Sequence, residues 1–186
     1  LETFDQPTGW GAGTPHPSPP SIQADSGPEG TGDFALRITP SPTGGAGRRL
    51  AALNTSLWTG DYLGADVSVL TMDLRNQSLL VSSMRVAVNG PGGWFVTEAE
   101  SLGLFSPWTQ VAFDISPGSL ISVGGSDASA TLSAVSQIRI LHSTTPDFKG
   151  GEGQRTILVD NIRAVPEPEI PIFLGFGLLF LHRRRR

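Results

Sequence analysis

The chain has 186 residues, of which 38% are hydrophobic and 16% charged, with 23 Gly, 15 Pro and no Cys. This length suits one domain of ordinary size plus a tail. The lack of cysteine excludes disulfides, thiolate zinc sites and cysteine nucleophiles. Residues 1–164 hold 9 basic and 15 acidic residues, a net charge of −6. Such an acidic domain argues against nucleic-acid binding, which requires a basic face.

The amino terminus, Leu1 to Asp5, has no initiator Met, no basic cluster and no apolar run. A secretory signal peptide combines a basic start with an apolar segment. We therefore expect a mature or trimmed start from which any export signal has been removed.

Residues 1–164 predict short strands separated by turns rich in Gly and Pro. The strand segments alternate apolar and polar side chains or are rich in β-branched and aromatic residues. In chain order they are Ser21–Ala24, Phe34–Ile38, Arg49–Asn54, Asp66–Leu74, Leu80–Val88, Trp94–Glu98, Trp108–Ile115, Val135–Leu141 and Thr156–Ile162. About nine or ten such strands, with no convincing amphipathic helix, predict an all-β fold, a β-sandwich of jelly-roll type.

Three segments of different character follow this domain. Residues 165–169 are a proline-containing spacer, residues 170–182 are apolar, and residues 183–186 are four arginines. We expect the apolar segment to form a short helix outside the domain, with the arginines on the cytoplasmic side of a membrane. Its 12 residues from 170 to 181 span about 18 Å as a helix, against a hydrocarbon core of about 30 Å. A transient signal fits this length better than a permanent anchor.

Residues 165–186 resemble the PEP-CTERM sorting signal of Gram-negative bacteria. The residues that carry the motif are Val165, Pro166, Glu167, Pro168, Arg183, Arg184, Arg185 and Arg186. The resemblance implies an exosortase, a membrane-embedded transpeptidase-like enzyme, as the processing partner. It also implies an exported protein that the tail holds transiently in the inner membrane. The final location would be the cell surface or extracellular matrix of a Gram-negative bacterium.

Segments at both ends of residues 1–164 resemble the jelly rolls of carbohydrate-binding modules. The matching segments are Phe4-Asp5 with Gly9-Trp10, residues 32–38 and residues 157–163. In such modules the first and last strands lie near each other in one sheet, and a structural calcium ion often bridges them. The resemblance implies Asp160 as the main calcium ligand, with Asp5 and Asp33 beside it. Calcium prefers such carboxylates together with carbonyl oxygens. The alternative is that Asp160 simply caps or pairs at a strand.

Four large aromatic residues are candidates for binding carbohydrate: Trp58, Tyr62, Trp94 and Trp108. Aromatic rings stack on the apolar face of a pyranose, and neighbouring polar groups bind its hydroxyls. Trp58 and Tyr62 flank a short Thr-Gly-Asp loop, so we expect both to be exposed. Trp94 and Trp108 begin predicted strands and fit a place in the core equally well.

Patterns typical of catalysis are weak in this sequence. His16 lies in a Pro-rich loop and His142 ends a strand, which favours a solvated role for the first and a structural role for the second. Glu98 and Glu100 point to the same face if both lie in a strand. A glycosidase needs two carboxylates, but an ordinary acidic surface is the favoured interpretation. No Gly-x-Ser-x-Gly motif presents a serine nucleophile.

The favoured interpretation is therefore a non-catalytic exported protein whose domain is a candidate polysaccharide-binding module. Two alternatives stay open. One is a purely structural matrix protein, and the other is a hydrolase whose site residues are dispersed along the chain.

Overall fold

The computed structural model describes residues 1–6, 8–13, 16–42, 45 and 47–166. Within this part of the chain, eleven strands form two antiparallel sheets packed face to face, with one short helix. The strands are β1 (Ser21–Gln23), β2 (Ala35–Ile38), β3 (Ala51–Asn54), β4 (Val67–Asn76), β5 (Ser82–Gly90), β6 (Gly93–Val96), β7 (Glu100–Leu102), β8 (Thr109–Asp114), β9 (Ile121–Ser122), β10 (Gln137–His142) and β11 (Ile157–Pro166), and helix α1 is Ala128–Leu132. The predicted all-β sandwich is confirmed.

The first and last strands lie in the same sheet. This five-stranded sheet has the order β1-β2-β11-β4-β8, and the other has the order β3-β10-β5-β6-β9, with β7 beside β5. The amino terminus joins the first sheet through a bridge between Glu2 and Ile162, and it reaches the second through a bridge between Gly11 and Leu53. Strands β1 and β11 thus lie near each other in one sheet, with β2 between them, as the resemblance to carbohydrate-binding modules predicts.

The core lies between the two sheets and follows from alternation along the strands. In β4, Leu70, Met72 and Leu74 point inward and are at most 1% exposed. In β5, Val86 and Val88 meet them from the opposite sheet. Each fully buried side chain of this kind contributes about 1.5–3 kcal/mol to folding through the hydrophobic effect.

Helix α1 packs on the hairpin between β5 and β6. Asp127 caps the helix, because its carboxylate accepts a hydrogen bond from the Ala130 N–H at 3.0 Å. The helix approaches the hairpin turn so closely that a Cβ atom on Gly92 would lie 1.8 Å from the Asp127 carbonyl oxygen. Glycine at this position is therefore a packing requirement.

Strand β11 continues into the predicted spacer. Val165 pairs with Val69 and Pro166 pairs with Val67 across the ladder to β4. The pairing of β2 with β11 reaches only residues 157–159, so Pro166 does not have to donate a hydrogen bond on that side. The rest of the predicted tail, residues 167–186, lies outside the described residues. In the described part of the chain, no helix is long and apolar enough to cross a membrane.

Candidate functional site

Part of the outward face of the six-stranded sheet is apolar and is covered by other side chains. Such a face is normally polar and open to solvent. Ala87, Val96 and Leu141 point away from the core, yet each is 0% exposed. Phe148, from the loop after β10, packs against them. Its ring stacks on Trp94 with 4.6 Å between ring centroids and 13° between ring planes. An aromatic pair thus lies on the outside of the sandwich.

Arg139 belongs to the same cluster. It lies on β10 between two inward-pointing isoleucines, and its guanidinium carbon is 4.4 Å from the Trp94 ring centroid. One Nη donates to the Phe148 carbonyl at 2.8 Å and the other to Oε1 of Gln137 at 3.2 Å. The Nε–H is enclosed and has no acceptor among the described residues. Contact with the aromatic face adds a cation–π attraction.

A groove of about 300 Å³ opens beside this cluster. Its floor includes Ala51 and Leu53 of β3 with Gln137 and Arg139 of β10, four side chains that lie on one face of two paired strands. Its walls come from loops and include the basic side chains of Arg48, Arg49 and Lys149, together with His16. The groove is therefore floored by the rigid sheet and walled by loops.

Two ion pairs position the basic wall of the groove. Arg48 Nε lies 2.9 Å from Glu152, and Arg49 Nη1 lies 3.5 Å from Asp147. Arg49 also donates a 2.9 Å hydrogen bond to the Gly150 carbonyl. These contacts tie the loop before β3 to the loop after β10.

The four predicted aromatic residues are not gathered in one place. Tyr62 is 7% exposed and donates its hydroxyl hydrogen to the Trp58 carbonyl at 3.0 Å. The predicted exposure of Tyr62 is wrong because its ring packs in the core, and this burial raises its pKa. Trp58 is half-buried, and its indole N–H donates to the Glu2 carboxylate.

Trp94 and Trp108 occupy different surroundings. Trp94 is half-buried in the stack on the outward face described above. Trp108, just before β8 of the other sheet, is also half-buried, and its indole N–H has no acceptor among the described residues. Of the four, Trp94 is the one that contacts a residue of the groove, through Arg139.

The predicted calcium ligands lie on and beside the outward face of the five-stranded sheet. Asp160 is 1% exposed, and neither carboxylate oxygen has a hydrogen-bond partner among the described residues. Burial is the main cause that raises its pKa, the carboxylates of Asp33, Asp73 and Asp5 add to it, and the nearby Asn161 backbone N–H opposes them, which together bring the pKa to about 7. A buried, unpaired carboxylate of this kind fits a cation ligand.

Asp5 and Asp33 are partly committed to other contacts. Asp5 accepts a 2.6 Å hydrogen bond from the Thr3 hydroxyl, and Asp33 accepts one of 2.8 Å from the Glu29 N–H. In the described part of the chain, no group of three or more His, Cys, Asp or Glu side chains is arranged to hold a metal ion. A calcium ion at Asp160 would therefore take most of its six to eight oxygens from carbonyls and water.

Three acidic side chains line a separate cavity of about 210 Å³: Glu98, Glu100 and Asp114. The Glu98 side chain is 81% exposed and lies 3.8 Å from Arg85. Asp114 accepts hydrogen bonds from the Ser116 N–H and the Ser119 hydroxyl. Burial raises the pKa of Asp114, but the bonds from Ser116 and Ser119 outweigh it, so the pKa is lowered overall.

The histidines differ in their surroundings. His142 is 2% exposed, and its Nδ1 accepts a 3.0 Å hydrogen bond from the Ser83 N–H, which confirms the predicted structural role. Burial and the positive charge of Arg155 lower its pKa, and the Ser83 carbonyl, 3.2 Å from Nδ1, opposes them. His16 is half-buried at the groove rather than fully solvated, and its Nδ1 accepts from the Ser18 N–H at 2.9 Å.

The basic groove and Asp73 were not anticipated from the sequence. The alternation Ile138-Arg139-Ile140 does indicate that Arg139 points away from the core. The three other basic residues come from loops that meet only through long-range pairing of β3 with β10. Asp73 joins Asp160 only because β4 and β11 pair in one particular register.

Comparisons with known proteins give matches in structure. No protein-family model matches the chain, and no curated protein matches its sequence. The family 11 carbohydrate-binding module of the cellulosomal cellulase Lic26A-Cel5E of Clostridium thermocellum aligns over 91% of this chain and 96% of its own length, with a TM-score of 0.56 and 18% identity. The domain has a carbohydrate-binding-module jelly-roll fold.

Two further structures share this fold. A family 11 module of C. thermocellum, in complex with a β-1,3-1,4-mixed-linked tetrasaccharide, aligns over 89% of this chain and 94% of its own length, with a TM-score of 0.57 and 19% identity. An exo-β-agarase aligns over 90% of this chain with a TM-score of 0.62 and 14% identity. This chain spans only 25% of the length of that agarase.

Proposed function

We propose that residues 1–166 form a non-catalytic module that binds polysaccharide. The observation that carries the proposal is the alignment with family 11 modules along nearly the whole of both chains. One of those modules is in complex with a tetrasaccharide. The agarase aligns with this fold through only 25% of its length, which fits a part of that enzyme and not the whole of it.

The groove beside the Trp94–Phe148 stack is the proposed binding surface. Carbohydrate sites combine apolar or aromatic surface with a few fixed polar groups. Here Gln137 and Arg139 present amide and guanidinium groups from a rigid strand, and Leu53 and Ala51 supply apolar floor on the neighbouring strand. An open groove on a sheet face suits a chain of sugars that extends beyond the site.

Retention of the full chain on a panel of polysaccharides tests this function. We expect the wild-type chain to be retarded in affinity electrophoresis by at least one polysaccharide and the Trp94→Ala variant to be retarded less. Leu104→Ala is the matched control, because Leu104 is 56% exposed and lies outside the groove. Unretarded migration on every polysaccharide would contradict the proposal and favour the structural matrix protein.

Calcium is proposed as a structural ligand at Asp160. The support is the buried Asp160 carboxylate, which has no hydrogen-bond partner among the described residues and lies near three further acids. Bound calcium would supply a positive charge that offsets the repulsion among these groups. Asp33 and Asp5 are the proposed neighbouring acids, and carbonyl oxygens and water would complete the calcium shell, because no three acidic side chains in the described part of the chain are arranged around one ion.

Export and sorting by the carboxyl-terminal tail are also proposed. The support is the order of Val165-Pro166-Glu167-Pro168, an apolar segment and Arg183–Arg186 in the sequence. An exosortase would process the tail at the inner membrane, and the domain would then reach the cell surface or matrix. Mass spectrometry of the protein from its native host tests this, and intact Arg183–Arg186 on the secreted form would contradict it.

A further inference from the structure

Positive charge is concentrated in the groove although the domain as a whole is acidic. Residues 1–166 contain 9 basic and 15 acidic residues. Four of the nine basic residues, Arg48, Arg49, Arg139 and Lys149, line this one groove. Among the described residues that line it there is no Asp or Glu. The groove therefore differs in sign from the rest of the domain.

The local acids neutralise only part of this charge. Glu152 pairs with Arg48 and Asp147 pairs with Arg49. Within the described part of the chain, Arg139 and Lys149 form no ion pair. The four basic and two acidic groups leave a net charge of +2 at the groove. Partly buried charges at a surface are screened less by salt than fully exposed ones.

The floor of the groove also presents a pre-organised arginine. The Arg139 guanidinium is fixed by Trp94, the Phe148 carbonyl and Gln137. A guanidinium held in this way binds carboxylate, sulfate or phosphate oxygens with little further loss of side-chain freedom. Lys149, which is exposed at the wall, adds a second cation whose ammonium lies 5.5 Å from the Phe148 ring centroid.

We infer that the groove binds an acidic polysaccharide, one that carries carboxylate or sulfate groups along its chain. The inference rests on the proposed polysaccharide-binding function and specifies the class of glycan. A neutral glycan uses hydroxyl hydrogen bonds and ring stacking, and it gives no reason to bring four of nine basic residues together. A nucleic acid also carries regular negative charge, but the acidic remainder of the domain would repel its long phosphate backbone.

Paired polysaccharides that share a backbone provide the test. The full chain is titrated with polygalacturonate and its methyl ester, and with dextran sulfate and dextran. We expect the acidic member of at least one pair to bind about tenfold more tightly than its neutral partner, and the preference to fall as salt rises. The two pairs distinguish recognition of carboxylate from recognition of sulfate.

Charge-matched variants locate the effect. The double variant Arg48→Gln/Lys149→Gln removes two exposed cations from the groove, and Arg37→Gln/Arg75→Gln removes two exposed cations from the other sheet. We expect the first variant to weaken binding of the acidic glycan about fivefold or more and the second to change it less than about twofold. Both variants change the net charge equally, so a difference between them reflects position.

A gain of binding is expected when Arg48 is released from its partner. Glu152→Gln removes the 2.9 Å ion pair with Arg48 and should tighten binding of the acidic glycan. Glu29→Gln, at an exposed position in the loop between β1 and β2, changes the net charge by the same amount and should leave binding unchanged. Because Glu152 and Glu29 are both exposed, neither change threatens the core.

The possible failures are distinct. Equal affinity for the acidic and neutral members of both pairs would overturn the acidic-glycan inference and leave the proposed function standing. Absence of binding to every glycan would overturn both. Tighter binding of single-stranded DNA than of either acidic glycan, lost in Arg48→Gln/Lys149→Gln, would overturn the assignment to polysaccharide.

Discussion

Asp160 of β11 lies directly opposite Asp73 of β4 in the five-stranded sheet. Both side chains point to the outward face, and Asp160 is 1% exposed. Asp73 receives a 2.9 Å hydrogen bond from the Asn161 amide, whereas Asp160 has no partner among the described residues. Like charges opposed across a ladder are destabilising, and burial makes the ionised form of Asp160 more costly still. A proton or a cation relieves this repulsion.

Replacement of Asp160 tests whether a proton or a cation relieves the repulsion between Asp160 and Asp73. At pH 8, above its raised pKa of about 7, Asp160 is mostly ionised. We expect Asp160→Asn to be more stable than the wild type in calcium-free buffer, by about 2–4 °C in Tm for each kcal/mol of relieved repulsion. Millimolar calcium should raise the Tm of the wild type and leave that of Asp160→Asn nearly unchanged.

Asp66→Asn controls for the loss of a carboxylate. Asp66 is exposed and lies just before β4, so this variant should keep the full calcium response. Differential scanning calorimetry with calcium, with magnesium and with EDTA measures all three chains. An equal calcium response in the wild type and Asp160→Asn would contradict the proposed site.

Glycine at position 92 is expected to be irreplaceable. A Cβ atom there would lie 1.8 Å from the Asp127 carbonyl oxygen, a backbone atom that cannot rotate away. Gly92→Ala must separate α1 from the β5–β6 hairpin, at a cost of about 1–3 kcal/mol or more in the free energy of unfolding. Gly118→Ala is the control, because a Cβ at Gly118 meets nothing within 4 Å. Equal urea midpoints for the two variants would contradict the close contact.

The strands follow from the sequence because their periodicity is strong and local. Each of the nine predicted segments contains or overlaps an observed strand. The two that periodicity missed are β7 and β9, which have three and two residues and take their structure from pairing with β5 and β6. Helix α1 has five residues, too few for a helical repeat to show.

The candidate site was less predictable because it depends on partners distant in sequence. Tyr62 follows a turn-forming Gly-Asp pair, which predicts exposure, but its ring enters the core and its hydroxyl reaches the Trp58 carbonyl. The groove joins the loops before β3 and after β10, which no local pattern connects. The predicted importance of Asp160 came from a family resemblance, and alternation alone would have described it as an exposed carboxylate.

The buried His142 predicts a loss of stability at mildly acidic pH. Its pKa is lowered by burial and by Arg155, so as the pH falls below about 6.5 the unfolded chain takes up the proton first. Stability that is present above pH 6.5 is then lost with falling pH. Protonation of Nδ1 also removes the acceptor of the Ser83 N–H hydrogen bond.

His142→Asn isolates this effect. The Asn side chain keeps an acceptor oxygen near the position of Nδ1 and does not titrate. We expect the free energy of unfolding of the wild type to fall more steeply between pH 7 and pH 5 than that of His142→Asn, measured by urea denaturation. Carboxylates titrate in both chains, so their contribution cancels in the comparison. Parallel pH profiles would contradict a lowered pKa for His142.

The cavity with Glu98, Glu100 and Asp114 carries the hydrolase alternative, and its electrostatics argue against it. A glycosidase requires one carboxyl group that keeps its proton to protonate the leaving group. The hydrogen bonds from Ser116 and Ser119 lower the pKa of Asp114, which favours its ionised form. Glu98 is 81% exposed and lies 3.8 Å from Arg85, so its carboxylate faces a cation and solvent.

We therefore expect the full chain to release no reducing sugar from any polysaccharide that it retains. Glu98→Gln/Glu100→Gln should bind that polysaccharide as tightly as the wild type, because the cavity and the basic groove share no lining residue. Release of reducing ends by the wild type, abolished in Glu98→Gln/Glu100→Gln with binding unchanged, would establish a hydrolase instead. Loss of binding in this variant without any release of sugar would move the proposed binding surface to the acidic cavity.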